Sequence, residues 1–122
     1  MEHSSHTCAC HSISLRHVGR RNVPGIWSQA QIDAWREVTN AVHSKNCRIW
    51  CQLWVQGRAA HKDVIESVGS KYVSSSPVPL KGEGHPVPEE MSEEDIAVTI
   101  DEYAIAARNA IEAGFDGVEI HG

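Results

Sequence analysis

The sequence has no long apolar run, no excess of basic residues and too few cysteines for a disulfide scaffold. None of its apolar stretches approaches the roughly 18 residues of a membrane span, and its N-terminus lacks the apolar core of a signal peptide. With 11 Lys and Arg against 16 Asp and Glu, the formal net charge is −5, which argues against binding to nucleic acids or anionic membranes. We therefore predict a cytoplasmic protein with reduced thiols.

The composition is otherwise that of a globular protein, since 41% of the residues are hydrophobic and 22% are charged. A chain of 122 residues suits one small domain, and it is too short for a complete (β/α)8 barrel, which needs at least roughly 200 residues.

The first 21 residues differ in composition from the rest. They hold four of the eight histidines together with Cys8 and Cys10, and their few apolar residues show no sustained period. This pattern predicts a disordered leader over residues 1–21 and an ordered domain over residues 22–122.

The leader also permits an alternative function. Cys8, Cys10 and His11, with His3 and His6, supply thiolates and imidazoles, which are ligands of zinc and copper. This set predicts a small metal-binding module as one hypothesis. Its spacing matches no zinc motif, and nothing downstream completes a second half-site. The favoured prediction therefore includes no metal site.

From residue 22 onward, a helix and a strand follow each other. Ser28 and Gln31 form a capping box, and an apolar stripe follows at three- and four-residue spacing as far as about residue 45, comprising Ile32, Trp35, Val38 and Val42. Residues 48–55 alternate between two largely apolar faces. One face carries Ile49, Cys51, Leu53 and Val55, and the other carries Trp50, Gln52 and Trp54. This predicts a strand buried on both sides.

A second helix and strand follow a long connection over residues 56–91. Ser92 is the expected N-cap, and Gly114 is the expected left-handed stop. The predicted inward stripe comprises Ile96, Ile100, Tyr103, Ala107 and Ala110. Residues 117–121 then predict another strand, and this helix–strand alternation indicates a parallel α/β unit.

Two positions at strand ends carry candidate chemistry, because ligands of α/β folds gather at the carboxyl ends of parallel strands. Gln52, with Trp54, lies near the end of the first predicted strand, and His121 lies at the end of the second. A glutamine amide can both donate to and accept from a flavin ring. Each residue also has a purely structural interpretation. Gln52 can be a strand residue whose amide is hydrogen-bonded by its neighbours, Trp54 can be a core residue, and His121 can cap the end of the sheet.

Four segments resemble the Old Yellow Enzyme family of FMN-dependent ene-reductases, which includes the 12-oxophytodienoate reductases. They are Val-Pro-Gly-Ile-Trp-Ser (23–28), Ala-Val-His-Ser-Lys (41–45), Cys-Gln-Leu-Trp-Val-Gln-Gly-Arg-Ala-Ala-His (51–61) and Ala-Gly-Phe-Asp-Gly-Val-Glu-Ile-His-Gly (113–122). The resemblance runs from about residue 22 to residue 122 and preserves the order and spacing of the motifs.

The resemblance implies a fragment of a TIM (β/α)8 barrel, truncated at both ends and covering about two strands and their helices. It implies FMN as the cofactor, NADPH as the reductant and the C=C bond of an α,β-unsaturated carbonyl compound as the substrate. By the same resemblance Gln52 binds the FMN pyrimidine ring, Trp54 lines the substrate pocket, and His121 donates a hydrogen bond to the substrate carbonyl oxygen.

The resemblance also implies that several functional parts lie beyond these residues. The partner of His121, the tyrosine proton donor and the FMN phosphate site all belong to other parts of the family's barrel. The chain alone is therefore expected to be inactive, and a truncated or pseudogene product without activity stays open as the alternative.

Overall fold

The computed structural model describes residues 5–122, and it describes side chains from residue 11 onward. The strands are β1 (Ser5–Ser12), β2 (Arg48–Trp54), β3 (Val73–Ser74), β4 (Glu89–Glu90) and β5 (Gly117–Ile120). The α-helices are α1 (Gln29–His43), α2 (Lys62–Ser67) and α3 (Glu93–Glu112), and 3₁₀ turns lie at Leu15–His17 and Gly57–Ala59.

Three parallel strands form the main sheet in the order β1-β2-β5. Leu53 of β2 pairs with His11 on one side and with Ile120 on the other. Helices α1 and α3 contact the same sheet, and β3 and β4 form a separate two-stranded parallel pair. The predicted parallel α/β class is confirmed, but in the described residues the main sheet has three strands rather than the two that we expected, and β3 and β4 add a second small sheet.

One face of β2 forms the centre of the core, as the alternation predicts. Ile49, Cys51 and Leu53 are buried there among Ile13, Ile26, Ile32, Ala106, Ala110, Ala113 and Phe115. The other face is open, and Trp50 keeps 39% of its surface exposed. The prediction of burial on both sides is therefore wrong for these residues, because both long helices pack on the same side of the sheet.

The helix ends follow the sequence rules. At the start of α1, Gln31 N donates to Ser28 Oγ (3.3 Å) and Ser28 N donates to Gln31 Oε1 (3.0 Å), which is the predicted capping box. Ser92 caps α3 in the same way with Asp95. At the other end of α3, Gly114 has φ +91° and Phe115 N donates to Ala110 O (3.1 Å), which is a Schellman motif.

The inward faces of both helices differ in part from the predicted stripes. In α1, Thr39 is buried and its hydroxyl donates to Ala113 O (2.7 Å), whereas Val38 is exposed. In α3, Ile96 and Ile100 are exposed. The inward row of α3 instead begins with polar residues and continues with small ones, as Asp95, Thr99, Glu102, Ala106 and Ala110. A search for apolar periodicity misses a row that begins with polar side chains.

The prediction of a disordered leader is wrong for residues 5–21. Residues 5–12 form β1, and His11 is fully buried with its ring 4.4 Å from that of Trp35. His17 is also buried, and its Nε2 lies 3.1 Å from Glu102 Oε2. This segment is held by backbone pairing with β2, by the packing of His11 and Ile13 in the core and by the polar contact of His17. Its apolar residues are too few to show a period in the sequence.

Candidate functional site

The three site residues predicted from the sequence lie on neighbouring strands at one end of the sheet. Gln52 and Trp54 belong to β2, and His121 directly follows β5. Because β2 and β5 are parallel, their carboxyl ends coincide, and His121 N donates to Leu53 O (3.0 Å), which extends the ladder by one residue. The backbone register therefore brings the three residues together.

Gln52 is held by a residue that the sequence analysis did not select. Gln52 Nε2 donates to Glu119 Oε1 at 2.9 Å, and the two residues are direct register partners across β2 and β5. Residues paired in this way point to the same face of a parallel sheet. Glu119 stands two residues before His121, so the period of two was the signal that could have found it.

Trp54 and His121 form the next layer towards the strand ends. Their ring centroids are 5.6 Å apart and the rings are inclined at 46°, which is a favourable spacing for two aromatic rings. The indole of Trp54 thus lies beside the imidazole, and both lie on the open face that also carries Gln52 and Glu119.

Trp50 forms the layer on the opposite side of Gln52 and depends on a glycine. The Trp50 ring lies against Gly117, its register partner, and a Cβ at residue 117 would overlap that ring. Gly117 thus allows a large aromatic side chain to lie flat on the neighbouring strand. Along the strands, the open face therefore carries the Trp50 indole first, then the Gln52 amide with the Glu119 carboxylate, and then the Trp54 indole with the His121 imidazole.

A polar contact of Asp116 joins β5 to β2 at the opposite end of the strands. Asp116 Oδ2 accepts hydrogen bonds from His43 Nε2 (2.9 Å) and from Ile49 N (2.8 Å). The hydrogen bond from His43, with that from Ile49, holds the pKa of Asp116 below its ordinary value of 3.8. This contact fixes the register that places Glu119 opposite Gln52.

Arg58, which the sequence placed just beyond β2, has no carboxylate partner among the described residues. Its guanidinium instead donates to Val78 O (2.9 Å) and to Ser76 Oγ (3.2 Å). It therefore ties residues 76–78 to the beginning of the long connection over residues 56–91, just beyond the end of β2.

The structure leaves the metal hypothesis without a test. No group of three or more His, Cys, Asp or Glu side chains in the described part of the chain could hold a metal ion. His3, His6, Cys8 and Cys10 lie outside the side chains that the structure describes. For membrane association, none of the helices in residues 5–122 is long and apolar enough to cross a bilayer.

Comparison with known proteins identifies the family. The model of the NADH:flavin oxidoreductase / NADH oxidase family matches residues 6–122, which is nearly the whole chain. The chain belongs to this family. Because the match begins at residue 6, it also agrees with the structure in joining β1 to the domain.

Individual members of the family match this chain at about 50% sequence identity. The chain is 52% identical over 112 residues to a probable inactive reductase of Epichloe festucae var. lolii. It is 51% identical over 105 residues to a chanoclavine-I aldehyde reductase of Penicillium roqueforti, and 52% identical over 110 residues to an NADP-dependent oxidoreductase of Aspergillus flavus. These alignments cover 86–91% of this chain but only 28–29% of each relative.

Proposed function

We propose that this chain forms one section of an FMN-dependent oxidoreductase of the ene-reductase type. In this proposal, reducing equivalents pass from NADPH through FMN to the C=C bond of an α,β-unsaturated carbonyl compound. The observation that carries the proposal is the placement of Gln52, Trp54 and His121 on one face at the coincident ends of β2 and β5.

The architecture supports a place in a (β/α)8 barrel. The strands are all parallel in the main sheet, both long helices pack on one face, and the other face is open. In a barrel the helices surround the strands, and active-site residues lie at the carboxyl ends of the strands. The face that carries Trp50, Gln52 and Trp54 would then point to the interior of the barrel.

The donor set of this face fits FMN. The Gln52 carboxamide combines N–H donors with a carbonyl acceptor, which suits the pyrimidine edge of a flavin. Its orientation is defined by the hydrogen bond that Nε2 donates to Glu119, so that the carbonyl oxygen points away from Glu119. When bound, FMN supplies the hydride-transfer chemistry, and the protein supplies position and polarisation.

His121 and Trp54 take the substrate roles in this proposal. An imidazole N–H of His121 donates to the substrate carbonyl oxygen and stabilises the negative charge that develops there. The indole of Trp54, 5.6 Å from the imidazole, forms a wall that limits how His121 turns and gives the pocket an apolar surface.

By itself the 122-residue chain is proposed to be inactive. Its candidate site residues lie on the open face of the sheet, where Glu119 and His121 are exposed to water. Hydrogen bonds to a developing charge are much stronger in a site that excludes water. We further propose that the complete protein acts in the cytoplasm on a small-molecule substrate.

A chimera tests this proposal. Residues 6–122 would replace the matching segment of the Penicillium roqueforti chanoclavine-I aldehyde reductase, to which the chain is 51% identical. We expect the chimera to bind FMN and to oxidise NADPH in the presence of 2-cyclohexenone, whereas the 122-residue chain does neither. A folded chimera that binds FMN but does not oxidise NADPH with the enone would contradict the proposed reaction.

A further inference from the structure

The connection over residues 56–91 contains a long segment without carboxylates. Residues 67–82 include no Asp or Glu, although the chain has 16 of them, and they include Lys71 and Lys81. The same segment carries three consecutive serines at positions 74–76. A serine that acquires a phosphate gains nearly two negative charges, which are destabilising beside carboxylates and favourable beside basic groups. The local charge of this segment therefore suits a phosphorylated serine.

One of the three serines combines an accessible hydroxyl with a following proline. Ser74 is buried and Ser75 is exposed, and neither precedes a proline. Ser76 is half-buried and is the one serine or threonine of the whole sequence that does. The position before a proline favours extended backbone, and the next two residues, Pro77 and Val78, are exposed. Ser76 thus has the sequence and the access that a proline-directed protein kinase requires.

The Ser76 hydroxyl is already in contact with a guanidinium. Arg58 Nη2 donates to Ser76 Oγ at 3.2 Å, and Arg58 Nη1 donates to Val78 O at 2.9 Å. Because Oγ is the acceptor, its own O–H proton is not used in this contact. Within residues 5–122, no carboxylate lies within ion-pair distance of Arg58. The charge of Arg58 is therefore available to an anion formed at the oxygen that it already contacts.

The backbone of Arg58 is fixed as well. Its carbonyl oxygen accepts from the hydroxyl of the buried Tyr72 at 2.7 Å. Arg58 also belongs to the 3₁₀ turn Gly57–Ala59, which is closed by the hydrogen bond from Ala60 N to Gly57 O (3.1 Å). A guanidinium is a planar fork that matches phosphate oxygens. One that is held at both ends loses little freedom when it binds an anion.

We propose that Ser76 is a phosphorylation site for a proline-directed protein kinase and that Arg58 binds the resulting phosphate. Ser76 Oγ attacks the γ-phosphorus of ATP and gives up its proton to the kinase. The bond between the γ-phosphorus and the β–γ bridging oxygen breaks, and ADP leaves. The phosphoserine dianion then accepts charge-assisted hydrogen bonds from Arg58, which are stronger than the present bond to a neutral hydroxyl. This pair fastens residues 76–78 beside the end of the strand that carries Gln52 and Trp54.

The site is tested by phosphorylating the 122-residue chain. The chain would be incubated with ATP and a mitogen-activated protein kinase, and the product would be analysed by intact and tandem mass spectrometry. We expect one phosphate per chain, located on Ser76. Ser76→Ala should abolish incorporation, whereas Ser75→Ala, which removes the neighbouring exposed hydroxyl, should leave it unchanged. No incorporation into the folded chain, or a phosphate on another residue, would overturn the proposal.

The role of Arg58 is tested by a ³¹P NMR titration of the phosphorylated chain. Phosphoserine has a second pKa of about 6, and a neighbouring guanidinium lowers it because it favours the dianion. We expect the phosphate pKa of the parent chain to be lower by roughly 0.5 or more than that of Arg58→Gln. Arg58→Lys, which keeps the charge without the planar fork, should lie between the two.

The matched control for this titration is Lys81→Gln, which removes an exposed charge of the same segment. It should change the phosphate pKa much less than Arg58→Gln does. Each variant should keep the circular dichroism spectrum of the parent chain, so that a change in pKa reports the contact and not unfolding. Equal phosphate pKa values in the parent chain and in a folded Arg58→Gln would overturn the assignment of Arg58 as the partner of the phosphate.

Discussion

At the scale of single residues, Gln52 and Glu119 define the candidate site most closely. Position and residue type pointed to Gln52 from the sequence, but its partner belongs to another strand 67 residues later. Local pattern cannot reveal such a contact, because it depends on the register of β2 with β5. The carboxylate accepts from the amide nitrogen, and it therefore sets which way the amide points.

Replacing Glu119 should loosen that orientation. In Glu119→Gln the new side chain can either donate to or accept from Gln52, so the amide of Gln52 is no longer fixed. In the chimera we expect several-fold weaker FMN binding, measured by fluorescence quenching, and a changed flavin absorption spectrum. Asp101→Asn, which removes an exposed carboxylate from α3, is the control. Unchanged affinity and spectrum in Glu119→Gln would show that Glu119 does not position Gln52.

Gly114 combines a left-handed backbone with a close neighbouring side chain. It has φ +91°, and an added Cβ would lie 2.7 Å from Thr39 Oγ1. Gly69 has φ +76° with no neighbour within reach of a Cβ, so Gly69→Ala measures the backbone penalty alone, about 1–2 kcal/mol. Gly114→Ala should cost about 1–3 kcal/mol more, because Thr39 must also move.

Urea unfolding of the two glycine variants and the parent chain measures both costs. Equal losses in the two variants would show that Thr39 moves aside without cost. The larger loss in Gly114→Ala would instead assign a stabilising role to the close contact between the end of α3 and Thr39 of α1.

At the scale of elements, polar contacts determine how α3 lies against the N-terminal segment. Arg16 contacts Asp95 (3.3 Å), and His17 Nε2 lies 3.1 Å from Glu102 Oε2 and 3.4 Å from Thr99 Oγ1. The caps of α1 and α3 were predictable because they depend on residues three apart in sequence. The inward row of α3 was not, because its first members are polar and their partners are about 80 residues away.

His17 should make stability depend on pH. Burial lowers the pKa of His17 below its ordinary value of 6.5, and this outweighs the opposing effect of Glu102. The unfolded chain therefore takes up a proton more readily than the folded chain. The contribution of neutral His17 to the free energy of unfolding is fully present above about pH 6.5. It decreases as the pH falls below this value and is lost once the pH has passed the lower pKa of the folded state.

Urea midpoints at pH 7.5 and pH 5.5 test this expectation. The parent chain should be less stable at pH 5.5, and His17→Gln should lose most of that difference. His85→Gln, in the exposed long connection, should keep it. The pKa values of Asp95 and Asp116 are lowered from 3.8, so these two carboxylates change the stability only at a pH well below 5.5. A pH dependence that survives in His17→Gln would assign it to other groups.

At the scale of the whole molecule, the sheet has one packed face and one open face. The sequence predicted the parallel α/β class and the strands β2 and β5, because each carries its own pattern of alternation and caps. It missed β1, because residues 5–12 show no apolar alternation and their pairing with β2 is a contact between distant parts of the sequence. It overestimated burial, because apolar residues on a strand do not say which face is covered. In the proposed barrel, the open face that carries Trp50, Gln52 and Trp54 would point to the interior.

The most direct test of this account is the FMN content of the chimera with and without Gln52. We predict that the parent chimera carries about one FMN per chain and that Gln52→Ala loses most of it while keeping the same circular dichroism spectrum. Gln56→Ala, which removes an amide four residues later in the chain, serves as the matched control and should keep its FMN. Full FMN content in a folded Gln52→Ala chimera would contradict the assignment of this face to the flavin.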